Sequence, residues 1–192
     1  MLILREMVMK ILLILCISYL LSSCSIYQGS YYYPNSNKGI VSIVGSCGDN
    51  VPSKLIVNEE DVNISTQAMS INPNDPYETW VWLEFESEKQ FSINSLPSAI
   101  YFFSGVQEIK PIGIQYFQKN HAHGNVSSEH KTIDDLPDFT GETKYLRIVF
   151  RFLHSEILQL KIAGLILSNI KVQDINVNFK NTKAIRISAL NC

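Results

Sequence analysis

A regular alternation of side chains in the middle of the sequence is the feature that most constrains the fold. Residues 77–86 read YETWVWLEFE. In an extended chain, Tyr77, Thr79, Val81, Leu83 and Phe85 lie on one face, while Glu78, Trp80, Trp82, Glu84 and Glu86 lie on the other. Successive side chains point to opposite faces only in a β-strand. The segment is therefore predicted to be a strand with one face against an apolar core.

The same period of two recurs toward the C-terminus. In residues 145–154 the apolar set is Leu146, Ile148, Phe150 and Phe152, with Arg147 and Arg151 opposite. Residues 172–180 alternate in the same way, with Ile175, Val177 and Phe179 on one face. The following KNTK is predicted to be a turn before 184–191, so this pair is predicted to form a C-terminal hairpin. Further strands are predicted at 39–46, 54–58, 63–71, 98–104, 108–117 and 157–163.

Two local signals refine these strands. Pro111 has no backbone N–H to donate, which indicates an edge strand or a bulge within 108–117. The stretch HSEILQLKIAGLILSN fits either a short helix or two strands around Gly164, and the neighbouring β segments favour two strands.

Many short strands with no alternation of strands and helices indicate an all-β fold. At 192 residues the chain is long enough for one well-buried domain. We expect a two-sheet antiparallel β-sandwich, with a flattened β-barrel as the alternative. The net charge is −2 with both signs dispersed, which argues against a nucleic-acid binder.

The N-terminus carries a short apolar segment, ILLILCISYLL, at residues 11–21. A membrane-spanning helix needs roughly 20 apolar residues, and Arg5, Glu6 and Lys10 prevent its extension upstream. Methionines at positions 1, 7 and 9 leave the start residue open. A charged start, a short apolar centre and small residues at the end are typical of a secretory signal peptide.

The end of this segment, Leu21-Ser22-Ser23-Cys24, resembles the lipobox of bacterial lipoproteins. The resemblance covers residues 9–24 and implies cleavage before Cys24 and diacylation of its sulfur. Together with the sequence after it, the resemblance gives residues 1–23 as signal peptide, 24–37 as a lipid-anchored tether and 38–192 as the β-sandwich domain. In Gram-negative lipoproteins, an aspartate directly after the acylated cysteine commonly retains the protein at the inner membrane. Ser25 occupies that position here, so the resemblance implies attachment to the outer membrane, facing the periplasm, if the source is Gram-negative.

Two cysteines remain once Cys16 is cleaved away and Cys24 is acylated. Cys47 and Cys192 are predicted to form a disulfide in an oxidising compartment, closing a loop of ~145 residues. The alternative is two free thiols.

Histidines cluster in HAHGNVSSEH, within a stretch from 119 to 140 that is predicted to be a long polar loop. His121, His123 and His130 supply imidazoles of the kind that hold zinc or copper. Histidines in a polar loop are more often solvated, so no metal and no cofactor are expected. Asp134, Asp135 and Asp138 do not match the calcium-loop pattern and are expected to be solvated. Long loops often carry function, so this segment is our first choice for partner contact.

The face that carries Trp80, Trp82 and Glu84 is the second candidate surface. Two indoles beside carboxylates suit sugar stacking or a protein interface. The alternative is structural packing, with Arg147 and Arg151 on a neighbouring strand paired with Glu84 and Glu86.

No catalytic motif is present in the sequence, so we expect a binding protein rather than an enzyme. The leading hypothesis is a lipid-anchored envelope lipoprotein whose sandwich faces the periplasm and binds another envelope component, most simply a protein. The alternatives are an immunity-type lipoprotein that neutralises a periplasmic toxin, and a metal- or sugar-binding module.

Overall fold

The computed structural model describes residue 10 and residues 24–45, 50–72, 75–120, 124–153 and 157–189. In chain order the strands are β1 (Cys24–Ser36), β2 (Ile40–Val44), β3 (Val51–Glu59), β4 (Val62–Asn72), β5 (Asp75–Asn94), β6 (Ile100–Ser104), β7 (Gln107–Ile109), β8 (Gly113–Asn120), β9 (Gly124–His130), β10 (Phe139–Leu153), β11 (Ile157–Ile162), β12 (Ile166–Leu167), β13 (Ile170–Lys171) and β14 (Ile175–Ala189). Helix α1 (Leu96–Ala99) and a 3₁₀ turn (Ile133–Asp135) lie between strands.

These strands form two antiparallel sheets. The larger sheet has the order β2-β3-β4-β5-β10-β8-β9, with β12 and β13 beside one end of β5. The smaller sheet has the order β1-β14-β11-β6-β7. Within the described residues the sheets do not close into a barrel. The predicted all-β sandwich is confirmed, and the flattened barrel is wrong.

The core between the sheets follows the alternation that the sequence predicted. Val81 and Leu83 on β5 are buried, and β10 places Phe150 and Ile148 directly opposite them. Opposing residues of antiparallel strands lie on the same face, so both strands direct apolar side chains toward the smaller sheet. There Phe102 on β6 contacts Phe150, with ring centroids 4.9 Å apart. Aromatic pairs of this kind join the two sheets.

The first described strand corrects the predicted tether. Residues 24–36 pair with β14 in continuous register, from Cys24 opposite Ala189 to Ser36 opposite Val177. Tyr32 is 2% exposed, and its hydroxyl lies 3.2 Å from the Thr79 hydroxyl on the larger sheet. The serine-, asparagine- and glycine-rich composition indicated a tether, although the three tyrosines also suited the domain surface or the start of a strand. A backbone partner far along the chain makes residues 24–36 an edge strand.

The predicted C-terminal hairpin is also wrong. Strand β14 runs through the KNTK segment without a turn. Asn181 and Lys183 lie opposite Tyr32 and Ser30 of β1. The turn signal is local, whereas the pairing with β1 joins residues about 150 positions apart, so this long-range pairing decides the backbone conformation.

The segment 119–140 is not one long loop. Its first part completes a hairpin of β8 and β9, paired from Ile114 opposite His130 to Asn120 opposite Gly124. Residues 121–123 lie outside the described part of the chain. Polar residues in β9 gave no core-facing signal because β9 is the last strand of its sheet.

Two aspartates from this segment have structural partners. Asp135 Oδ2 accepts hydrogen bonds from the Thr132 backbone N–H at 3.2 Å and the Thr132 hydroxyl at 2.7 Å, and the backbone contact caps the 3₁₀ turn. Asp138 Oδ1 accepts one from the Ser95 backbone N–H at 3.0 Å, next to helix α1. These carboxylates fix chain turns and do not converge.

The remaining local predictions have mixed outcomes. Two strands do flank Gly164, since β11 precedes it and β12 follows it. Pro111 lies in neither an edge strand nor a bulge. It is buried in the connection where the chain leaves β7 of the smaller sheet and enters β8 of the larger one.

The adjacent residues Tyr32 and Tyr33 test whether β1 belongs to the fold. Tyr32 is 2% exposed and Tyr33 is 37% exposed. We expect Tyr32→Ala to lower the free energy of unfolding by about 3–5 kcal/mol, as for other buried aromatic residues. Tyr33→Ala is the matched control, with a change of about 0.5 kcal/mol. Urea denaturation measures both, and equally small effects would restore the tether.

Candidate functional site

The solvent side of the larger sheet carries the conspicuous polar and aromatic residues of this chain. We call it the outer face, defined by Trp80, Trp82 and Glu84 on β5 with Tyr145 and Arg147 on β10. Arg147 lies directly opposite Glu84, and Trp82 lies opposite Val149. Val149 is 3% exposed although it faces away from the core between the sheets. The long side chains around it therefore form a second, smaller packed layer on this face.

Glu84 is the centre of this layer. Its side chain is held from three other strands, by Lys54 on β3, Ser65 on β4 and both Tyr145 and Arg147 on β10. Glu84 Oε2 accepts hydrogen bonds from Lys54 Nζ at 2.7 Å and Ser65 Oγ at 3.1 Å. Glu84 Oε1 accepts from Arg147 Nε at 2.6 Å and the Tyr145 hydroxyl at 3.1 Å. A carboxylate that is only 8% exposed is thus fully paired.

These contacts set the ionisation of both acidic groups. Burial acts to raise the pKa of Glu84, but the hydrogen bonds and positive charges of Lys54 and Arg147 outweigh it and hold that pKa below the ordinary value of 4.5. Burial and the negative charge of Glu84 raise the pKa of Tyr145 to about 12. Glu84 therefore stays ionised and Tyr145 stays protonated at neutral pH, which keeps the phenol as a donor.

The Glu84 contact orients Arg147 over the aromatic residues. The Arg147 guanidinium carbon lies 4.9 Å from the Trp82 ring centroid and 5.6 Å from that of Tyr145. These distances are within the range of cation–π attraction. Trp80 and Trp82 are half-buried, and their indole nitrogens are buried without an acceptor among the described residues. The indoles therefore present ring surface rather than N–H donors.

An open cleft adjoins this cluster where β10, β8 and β9 meet. It has a volume of about 330 Å³, and its lining residues are Phe117, Gln118, Lys119, Val126, Ser127, Tyr145 and Arg147. Phe117 is 40% exposed, and Lys119 Nζ lies 5.4 Å from the Tyr145 ring centroid. Two cations and no carboxylate line the cleft. Its surface is therefore apolar with a positive rim.

The structure brings together only some of the residues singled out in the sequence. Trp80, Trp82 and Glu84 share the outer face as predicted. His130 does not join them, because it lies opposite Ile114 and stacks on Tyr116 with ring centroids 5.5 Å apart. His121 and His123 lie outside the described residues. Within the described part of the chain, no group of three His, Cys, Asp or Glu side chains could hold a metal ion.

The predicted pairing of arginines with glutamates is half correct. Arg147 pairs with Glu84 as expected. Arg151 does not pair with Glu86: it lies opposite Trp80, with its Nε 3.9 Å from Glu78 Oε1. Glu86 instead lies opposite Tyr145 and lines a shallow acidic hollow with Asp61.

The structure describes one of the three cysteines to which the sequence assigns a role. Cys24 is the first residue of β1, opposite Ala189. Cys47 and Cys192 lie outside the described residues, so their disulfide remains a prediction.

Sequence reasoning missed the partners that complete the site. These partners come from four different strands, and no sequence motif marks them: Lys54, Ser65, Tyr145 and Phe117. The alternation in β4 and β10 carried a usable signal: it places Ser65 and Tyr145 on the polar face of their strands. Their convergence on Glu84 depends on strand order and register, which no single segment shows.

Comparisons with known proteins identify no family for this chain. No protein-family model matches the chain, and no curated protein matches it. One solved structure, the "X-ray structure of Northeast Structural Genomics Consortium target SoR45", covers 84% of this chain and 86% of that chain, with 5% sequence identity and a TM-score of 0.19. A likeness at this TM-score carries no argument.

The Glu84 contacts predict a stability that depends on pH. With its pKa lowered in the folded state, Glu84 stabilises the fold fully above pH 4.5 and loses this contribution as the pH falls through the folded pKa. We expect Glu84→Gln to lower the free energy of unfolding by about 2–3 kcal/mol at neutral pH. This is less than for a fully buried pair, because Lys54 and Arg147 are about one-third exposed.

Glu86→Gln is the matched control, since Glu86 lies two residues further along the same strand and is exposed. Denaturant unfolding at a series of pH values measures both variants against the unchanged chain. The deficit of Glu84→Gln should shrink below pH 4.5, while Glu86→Gln stays near zero. A deficit that does not change with pH would contradict the assigned ionisation of Glu84.

Proposed function

We propose that this chain is a lipid-anchored protein of the bacterial cell envelope that binds a protein partner through its outer face. The observation that carries the binding proposal is the Arg147 guanidinium, fixed by Glu84 over Trp82, beside an open cleft with no carboxylate. Tryptophan, tyrosine and arginine are the residues that most often dominate binding energy at protein interfaces. Rigid anchors of this kind lose little conformational entropy on binding.

The cleft indicates the chemistry of the partner. Phe117 and Val126 offer apolar contact, while Lys119 and Arg147 attract a negative charge. The partner element that fits is an apolar side chain next to a carboxylate. Glu84 pairs with Arg147 through Nε, and none of the described residues lining the cleft is a carboxylate that would compete for Lys119.

The lipobox-like Leu21-Ser22-Ser23-Cys24 supports the anchoring proposal. Within the described residues, no helix has the length and apolar character needed to cross the bilayer. If Cys24 carries the acyl chains, strand β1 starts at the anchor itself. The sandwich is then attached to the membrane without a free spacer, with the periplasm-facing outer membrane as the expected location in a Gram-negative source.

Replacement of Cys24 tests the anchor. We expect Cys24→Ala to abolish labelling by radioactive palmitate and to release the protein from sedimented membranes, because two buried acyl chains give stable attachment. Cys16→Ala is the matched control, since Cys16 lies in the segment predicted to be cleaved. Palmitate labelling that persists in Cys24→Ala would contradict the lipobox interpretation.

Photo-crosslinking tests the binding surface. A photoreactive phenylalanine analogue at Phe117, in cells that naturally produce the protein, should give one dominant adduct with another envelope protein. The same analogue at Tyr33 is the matched control, because Tyr33 is similarly exposed but lies on the smaller sheet. Equal adducts from both positions, or none from Phe117, would contradict the proposal.

Charge reversal tests the chemistry of the cleft in the same experiment. Lys119→Glu should remove most of the Phe117 adduct, since it places a carboxylate where the partner's carboxylate binds. Lys161→Glu, an equivalent change at an exposed lysine on the smaller sheet, should leave the adduct unchanged. An adduct that survives Lys119→Glu would exclude an acidic partner element.

A further inference from the structure

The edges of the two sheets differ in how they are protected. An edge strand exposes unpaired backbone N–H and C=O groups, and proteins protect such edges with charges, proline or short strands. Within the described residues the two strand orders end at β1, β7, β9 and β2, and the two-residue strand β13, which includes Lys171, pairs with β12 alone. Strand β1 contains Pro34, β7 has three residues and includes Glu108, and β9 includes Glu129. Strand β2 has none of these protections.

Strand β2 reads IVSIV and is apolar at its exposed positions. Ile40 is 72% exposed and Ile43 is 67% exposed. No charged residue occurs from 39 to 48 in the sequence. Apolar β-branched residues on an open edge are the composition that favours pairing with a further strand.

The bulge beside this strand does not protect it. The register shifts between Ser42, opposite Lys54, and Ile43, opposite Pro52. The additional residue, Ser53, therefore belongs to β3. Strand β2 has no extra residue of its own, and among the described residues it pairs with β3 alone.

The sequence of β2 is complementary to itself in antiparallel register. A two-fold axis at Ser42 places Ile40 opposite Val44 of a second copy, Val41 opposite Ile43, and Ser42 opposite Ser42. Each pair shares a face, and no like charges meet. Cross-strand pairs of β-branched residues stabilise such a ladder. A contact that uses the same patch on both subunits closes as a dimer and does not propagate.

We propose that β2 pairs with β2 of a second copy of this chain and joins two larger sheets into one continuous sheet. A five-residue ladder is smaller than a standard protein interface, so the dimer forms at high local concentration. Attachment of both copies to one membrane supplies that concentration. The inference rests on the proposed membrane anchor for this concentration, whereas the ladder uses no residue of the outer face, so the pairing can fail while the proposed function stands.

Crosslinking between two tagged copies tests this dimer. Full-length chains with different epitope tags are produced in the same cells, each carrying the photoreactive phenylalanine analogue at Ile43. Irradiation should give an adduct that contains both tags. The analogue at Ile112 is the matched control: Ile112 is 52% exposed but precedes β8, which lies two strands beyond β5 on the side of the larger sheet away from β2. It should give no two-tag adduct.

A lysine at the edge provides the second arm. Ile40→Lys should abolish the two-tag adduct, because each copy then places a positive charge at the end of the ladder. Ile40 is exposed, so the variant should fold normally. Thermal unfolding followed by circular dichroism checks the fold. Ile185→Lys, at a residue 79% exposed on β14, should leave the adduct unchanged. A two-tag adduct that is missing from Ile43, or that survives Ile40→Lys, would overturn the proposal. Capture of a different protein from Ile43 would overturn the second copy as the occupant.

Discussion

The outer face depends on one buried carboxylate. Glu84 lies at the centre of the larger sheet, and its two oxygens accept hydrogen bonds from side chains of β3, β4 and β10. An unpaired charge at that depth would be costly, whereas a fully paired one fixes each of its partners. The position of Arg147 over Trp82 follows from this pairing, while burial and the negative charge of Glu84 raise the pKa of Tyr145 to about 12. The surface we propose for binding is therefore ordered before any partner arrives.

Structural and functional interpretations of the tryptophan face prove compatible. The sequence left two alternatives for Trp80 and Trp82, packing with paired arginines or exposure to a ligand. The structure shows the packing: the Arg147–Glu84 pair exists, and the indole nitrogens are buried. The packing leaves the cleft beside Phe117 open and positively charged. A packed layer that supports an adjoining recessed site is a common arrangement at protein interfaces, where neutral neighbours exclude water from a few strong contacts.

The alternation of side chains within single segments predicted the features that depend on that alternation. The period of two in β5 and β10 predicted both strands, their buried faces and the Arg147–Glu84 pair. This pair requires only that both strands alternate and that their register places Arg147 opposite Glu84. The tether at 24–37 and the hairpin around KNTK failed together, since β1 and β14 specify each other across about 150 residues. The convergence of Lys54, Ser65 and Tyr145 on Glu84 was not predicted, because it depends on strand order, which is a property of the whole chain.

The central claim is that the outer face is covered by a partner in the cell. Hydroxyl-radical footprinting of the protein in native membranes, compared with the purified chain, measures this directly. We predict lower oxidation of Trp80, Trp82 and Phe117 in membranes, with unchanged oxidation of the fully exposed Val106 on the turn after β6. Equal oxidation of the three aromatic residues in both samples would contradict the account.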